Sequence, residues 1–194
     1  EIQATPHALQ ALRYFYEEYP TLPVIAAGSL LEFTLADHSF SMPVGRIEYF
    51  HLYPLTFREF LAVTQPSLLP YLDSLSPSLD EVPYAAHQQL LKKLRDYFFV
   101  GGLPEAVQVF RDQESLQEVA AVHRSIVSTY QDDFSKYTKQ NDLFLIQKIF
   151  NYIPKPLGQK VKYTHISRDD RAAQVKKGIS LLTKARICHQ VKHS

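Results

Sequence analysis

At 194 residues, with 45% hydrophobic and 21% charged residues and a formal net charge of +1, the chain has a globular composition and can bury a sizeable core, which excludes a disordered tract. No apolar run approaches the roughly 20 residues that span a bilayer, and the single cysteine, Cys188, excludes an internal disulfide and thiolate zinc sites. The start, Glu1-Ile2-Gln3, shows neither the basic stretch nor the apolar core of a signal peptide, so an intracellular, cytoplasmic protein is the default expectation.

Thr5 and Pro6 mark a helix start, and Leu9, Leu12, Phe15 and Tyr16 recur at helical spacing up to Tyr19-Pro20. The apolar run from Leu22 to Ala27, bounded by Pro20 and Gly28, reads as a buried strand. A short helix from Ser29 to Leu35, a loop from Asp37 to Pro43 and a second strand from Ile47 to Leu52 follow. Thr56-Phe57-Arg58-Glu59 is a capping box that opens a helix containing Phe60 and Leu61. Several prolines then punctuate short helices, before a longer one from Tyr84 to Val100 that stops at Gly101-Gly102. Pro104 opens a helix to about Arg111. Ser115 to Tyr137 carries the clearest apolar stripe, with Leu116, Val119, Val122, Ile126, Val127, Tyr130 and Phe134. Helices over 143–152 and 171–184 flank a short segment near 161–166, and Ala185 to Val191 alternates like a strand. Helix, short helix, helix, strand is the order of a winged helix-turn-helix. The expected fold is therefore an α/β sheet followed by a mostly α-helical region with a winged helix.

Two features bear on chemistry. Val44-Gly45-Arg46 lies downstream of an apolar run ending in Gly28-Ser29, an order in which nucleotide-hydrolysing sheets present a sensor hydroxyl and a guanidinium to a γ-phosphate. Yet the sequence has no G-x-x-x-x-G-K-[ST], and its six glycines never cluster into a phosphate cradle. The eight histidines show no ligand-like spacing with acidic residues, so no metal site is expected. Charge is also unevenly spread. Residues 155–194 hold ten Lys or Arg and two Asp, a net of +8, against −7 for residues 1–154, with 11 basic and 18 acidic residues. Such a basic end suits a nucleic acid or an acidic protein surface, or a solvated face that pairs with the rest of the chain.

The segments Glu1-Ile2-Gln3, Leu12-Arg13-Tyr14-Phe15, Ala27-Gly28-Ser29-Leu30-Leu31-Glu32-Phe33, Val44-Gly45-Arg46 and Leu52 to Leu61 resemble the central part of prokaryotic AAA-like P-loop ATPases with a C-terminal domain of unknown function. Gly101 to Val107, Tyr130 to Tyr137 and Ile153-Pro154 continue the resemblance in order. It implies an α/β P-loop core over 1–64, a helical connecting region over 65–141 and a winged-helix-like start of the terminal domain over 142–194. It also implies ATP and Mg²⁺ as cofactors of an intact member, with the phosphate loop preceding residue 1. Glu1 would be the second acidic residue of the Walker B strand end and polarise the attacking water. Ser29 would be the sensor, and Arg46 the arginine finger.

The resulting expectation is an incomplete ATPase that neither binds nor hydrolyses ATP alone. Two further readings stand beside it. One is a DNA-binding winged-helix module using Arg171, Lys176, Lys177 and Lys184 on phosphates. The other is a protein-interaction scaffold that self-associates through apolar surface left by an incomplete sheet.

Overall fold

The computed structural model describes residues 2, 5–28, 45–74, 83–137 and 140–191, and among them every regular element is helical. The helices are α1 (Pro6–Glu18), α2 (Phe57–Thr64), α3 (Leu69–Asp73), α4 (Tyr84–Val100), α5 (Pro104–Gln113), α6 (Leu116–Tyr137), α7 (Gln140–Tyr152), α8 (Tyr163–Ile166) and α9 (Ala172–Lys184). A 3₁₀ turn, Pro66–Leu68, leads into α3. The chain divides into two compact units, residues 50–130 and residues 1–49 with 131–194, the division falling within α6.

These helices correct the α/β expectation. No strand forms at Leu22–Ala27: the Leu22 N–H turns back to the Tyr19 carbonyl at 2.9 Å, the Ala27 carbonyl accepts from the Ile2 N–H at 3.0 Å, and no ladder runs along the segment among the described residues. A buried parallel strand needs a ladder on both edges and cover on both faces. Ile25 instead remains 94% exposed. Residues 47–52 likewise form no ladder among the described residues, and Phe50 and Leu52 lie open to solvent. The proposed helix at Ser29–Leu35 and loop at Asp37–Pro43 lie outside the described residues.

The third expected strand, residues 185–191, is replaced by a helix-closing turn. Arg186 takes a left-handed φ of 60°. Its N–H then reaches the Thr183 carbonyl, and the Ile187 N–H reaches back to Leu182, both at 3.0 Å. This is the double closure of a Schellman motif, and it uses the very residues that alternate like a strand. Without that strand the winged helix-turn-helix has no wing, and that assignment falls with the sheet.

In the 50–130 unit, the capping box forms as the sequence predicts. Thr56 Oγ1 accepts from Glu59 N–H at 3.3 Å, and Glu59 Oε2 accepts from Thr56 N–H at 2.7 Å. With its start fixed, α2 places Phe60 and Leu61, both fully buried, into two neighbouring clusters. Phe60 packs with Val100, Ala106, Val107, Phe110 and Val119, stacked on Phe110 at 5.9 Å between ring centres. Leu61 packs with Leu68 and Leu90. Full burial of a side chain the size of phenylalanine is worth about 2–3 kcal/mol, so Phe60 anchors the unit.

In the other unit, α7 and α9 pack against each other through apolar residues at helical spacing: Leu145, Ile146 and Ile149 on α7, Val175, Ile179 and Leu182 on α9. Gly178 permits the approach, because a Cβ there would lie 2.4 Å from Ile149 Cδ1. Lys148 reaches Asp170 at 3.3 Å and Ser167 Oγ at 3.4 Å, tying α7 to the turn before α9.

Candidate functional site

Of the three residues expected at a γ-phosphate, Glu1 and Ser29 lie outside the described residues. Arg46 is described, and its surroundings follow from two local features. Gly45 adopts φ +77°, a conformation that favours glycine, and turns the chain immediately before Arg46. On α1, Arg13 and Glu17 lie one turn apart, so their side chains meet on the same face. Glu17 Oε1 accepts from Arg13 Nε at 2.9 Å and from Arg46 Nε at 2.8 Å. One carboxylate oxygen thus gathers two guanidinium groups. The hydrogen bond from Arg13 first, then Arg46, holds the Glu17 carboxyl below its ordinary range, so it is ionised at neutral pH.

A guanidinium carries five N–H donors in a rigid plane, and fixing Nε orients that plane. Arg46 is therefore an oriented cation at a partly exposed position, with about a third of its side chain accessible. Sequence reasoning singled out Arg46 and missed its holder. The i, i+4 spacing of Arg13 and Glu17 was a readable signal, whereas the 29 residues between Glu17 and Arg46 hide that contact.

The four basic residues expected to meet phosphates lie on or beside α9. Lys176, Lys177 and Lys184 are exposed on the helix, and Arg171 is the exposed residue before its first turn, where its N–H donates to Gln174 Oε1 at 3.2 Å. The structure places the three lysines on one side of the helix.

The longest motifs in the sequence turn out to hold the fold. Leu55 N–H donates to the Gly102 carbonyl at 2.7 Å, and Tyr97 Oη donates to the Leu55 carbonyl at 2.7 Å. A Cβ at Gly102 would lie 2.2 Å from the Leu55 carbonyl oxygen, so only glycine fits that approach. Arg58 binds Asp73 through two parallel hydrogen bonds of 2.9 Å, joining α2 to α3. His123 Nε2 donates to the Val100 carbonyl at 2.9 Å, satisfying an orphan acceptor at the end of α4, and no motif signals it. Beside α2, Phe57, Leu72, Leu90, Leu91 and Leu94 line an apolar groove with His87 at its edge. Among the described residues no three His, Cys, Asp or Glu side chains gather as metal ligands, and no helix is long and apolar enough to cross a membrane.

Two family models match the chain. That of a domain of unknown function, DUF8612, covers residues 91–194, more than half of the sequence. That of an AAA domain covers residues 1–61. No curated protein and no solved structure matches.

Proposed function

The chain belongs to the DUF8612 family and carries an AAA-like segment at residues 1–61, and from that premise we propose that it serves an AAA-like ATPase by contributing Arg46 to a phosphate site completed by residues outside 1–194. Intact members of the AAA family use a nucleotide and Mg²⁺. The residues present do not fit that pair: the sequence lacks G-x-x-x-x-G-K-[ST], whose backbone, lysine and hydroxyl hold the phosphates and Mg²⁺, and among the described residues no three His, Cys, Asp or Glu side chains gather as metal ligands. ATP binding is therefore not a property of this polypeptide alone.

The observation that carries this reading is the AAA match over a sequence without a phosphate loop. Arg46 fits it because Glu17 orients its guanidinium at a partly exposed position, as an arginine that neutralises phosphate charge requires. The test is a titration of a fluorescent ATP analogue with Mg²⁺ into the 194-residue chain. The expected result is no saturable binding in the micromolar range, and micromolar affinity refutes the proposal.

A further inference from the structure

Outside the Arg46 cluster, the strongest charged feature is the outer side of α9. At about 100° per residue, Lys176, Lys177, Ser180, Lys184 and Ala173 fall within an arc of about 100° of the helix circumference. Val175, Gly178, Ile179 and Leu182, all buried, occupy the opposite side. Packing against α7 thus sends three lysines outward together. None of Arg171, Lys176, Lys177 and Lys184 forms an ion pair with another described residue. Lys155, Lys160, Lys162 and Arg168, all exposed, extend the positive surface along the chain. The segment's two acids do little to offset it. Asp170 is occupied by Ser167 and Lys148, which leaves Asp169 as its exposed carboxylate.

We propose that the outer face of α9, with Arg171 at its start, binds the phosphate backbone of a nucleic acid without reading its sequence. The composition of the face selects this partner over an acidic protein. Protein interfaces are depleted in lysine at their centre and anchored by aromatic side chains, methionine and arginine. This face has lysines around alanine and serine, and no aromatic anchor. Lysine ammonium groups are point charges suited to phosphate oxygens, and the small side chains between them let the helix lie close to a backbone. From Lys176 to Lys184 the helix rises about 12 Å, alongside about seven phosphate charges of a B-form duplex.

The test is fluorescence anisotropy of a labelled 20-base-pair duplex DNA of arbitrary sequence, titrated with the 194-residue chain between 50 and 200 mM KCl. Four phosphate contacts predict a slope of about −3.6 in log K against log salt, or about a 150-fold loss of affinity across that range. The variant Lys176→Gln/Lys177→Gln/Lys184→Gln changes exposed residues to one of similar helix propensity, so its circular dichroism should be unchanged. It should keep a slope of about −0.9, roughly a 3.5-fold loss over the same range. Lys92→Gln/Arg95→Gln, on exposed positions of α4, should bind like the wild type. Absence of binding at 50 mM salt, a salt-insensitive affinity, or wild-type binding by the triple variant overturns the proposal. So does competition by polyglutamate as effective, charge for charge, as unlabelled duplex, which would assign the face to an acidic polypeptide.

Discussion

Gly102→Ala tests whether the contact between the Leu55 segment and the Gly101-Gly102 turn holds the 50–130 unit together. The added Cβ would sit 2.2 Å from the Leu55 carbonyl oxygen and 2.8 Å from its nitrogen. These are backbone atoms, so no rotamer change relieves the clash and the Leu55 segment must move. That movement breaks Leu55 N–H to Gly102 and Tyr97 Oη to Leu55, each worth about 1 kcal/mol net. Displaced packing of Leu55 and Phe57 on the Phe60 cluster adds about 1–2 kcal/mol, while the lower chain entropy of alanine returns about 0.5. The net loss is about 2.5–3.5 kcal/mol, or at least about 10 °C in Tm for a unit of this size. Two readouts separate this mechanism from general damage. Amide hydrogen exchange at Leu55 should lose its protection. Tyr97→Phe should cost about 1 kcal/mol in the wild type and almost nothing in the Gly102→Ala background, since its acceptor has already moved. A Tm within 4 °C of wild type, or full additivity with Tyr97→Phe, refutes the argument.

Gly178→Ala should be mildly destabilising, because the gain in helix propensity of about 1 kcal/mol competes with about 1–3 kcal/mol of overpacking on Ile149. Adding Ile149→Val, which removes the clashing Cδ1, should recover stability relative to Ile149→Val alone in urea titrations. Glu114 closes α5 at φ 51°, so Glu114→Gly should raise stability by about 0.5–1 kcal/mol in the same assay. Glu59, held low first by the Thr56 N–H, and Asp73, held low by Arg58, both have folded-state pKa values below their unfolded ones. Their contribution is complete above the unfolded values and disappears as pH falls through the folded ones. The urea midpoint should therefore hold from pH 7 to about pH 5 and fall toward pH 3, less steeply in Glu59→Gln.

The helical half of the sequence was readable because its signals are local. The capping box at Thr56, the glycine stop after Val100, Pro104 at a first turn and the stripe from Leu116 each specify an element from residues within a few positions of one another. Strands were misread for the converse reason. A short apolar run such as Leu22 to Ala27 does not carry its ladder partners, and without them it is not a strand. At 185–191 the deciding event is Arg186 entering the left-handed region, which arginine does not advertise as glycine would. The candidate site divides in the same way. Arg13 and Glu17 meet by helical spacing, but Arg46 reaches Glu17 only through the folded chain, and His123 reaches Val100 from another helix.

The segments that carry the family resemblance therefore differ in what they do. Leu52 to Leu61 and Gly101 to Val107 are distant in sequence, yet Leu55, Tyr97 and Gly102 bring them into direct backbone contact, and Phe60, Ala106 and Val107 share one core. Selection on that contact requires glycine at 102 and an apolar residue at 60 whatever the chemistry nearby. Resemblance through these motifs is thus a statement about the fold of the 50–130 unit. Arg46 is different in kind. Its side chain is partly exposed and Glu17 holds its guanidinium through Nε, a polar contact at the surface and not a place in the core.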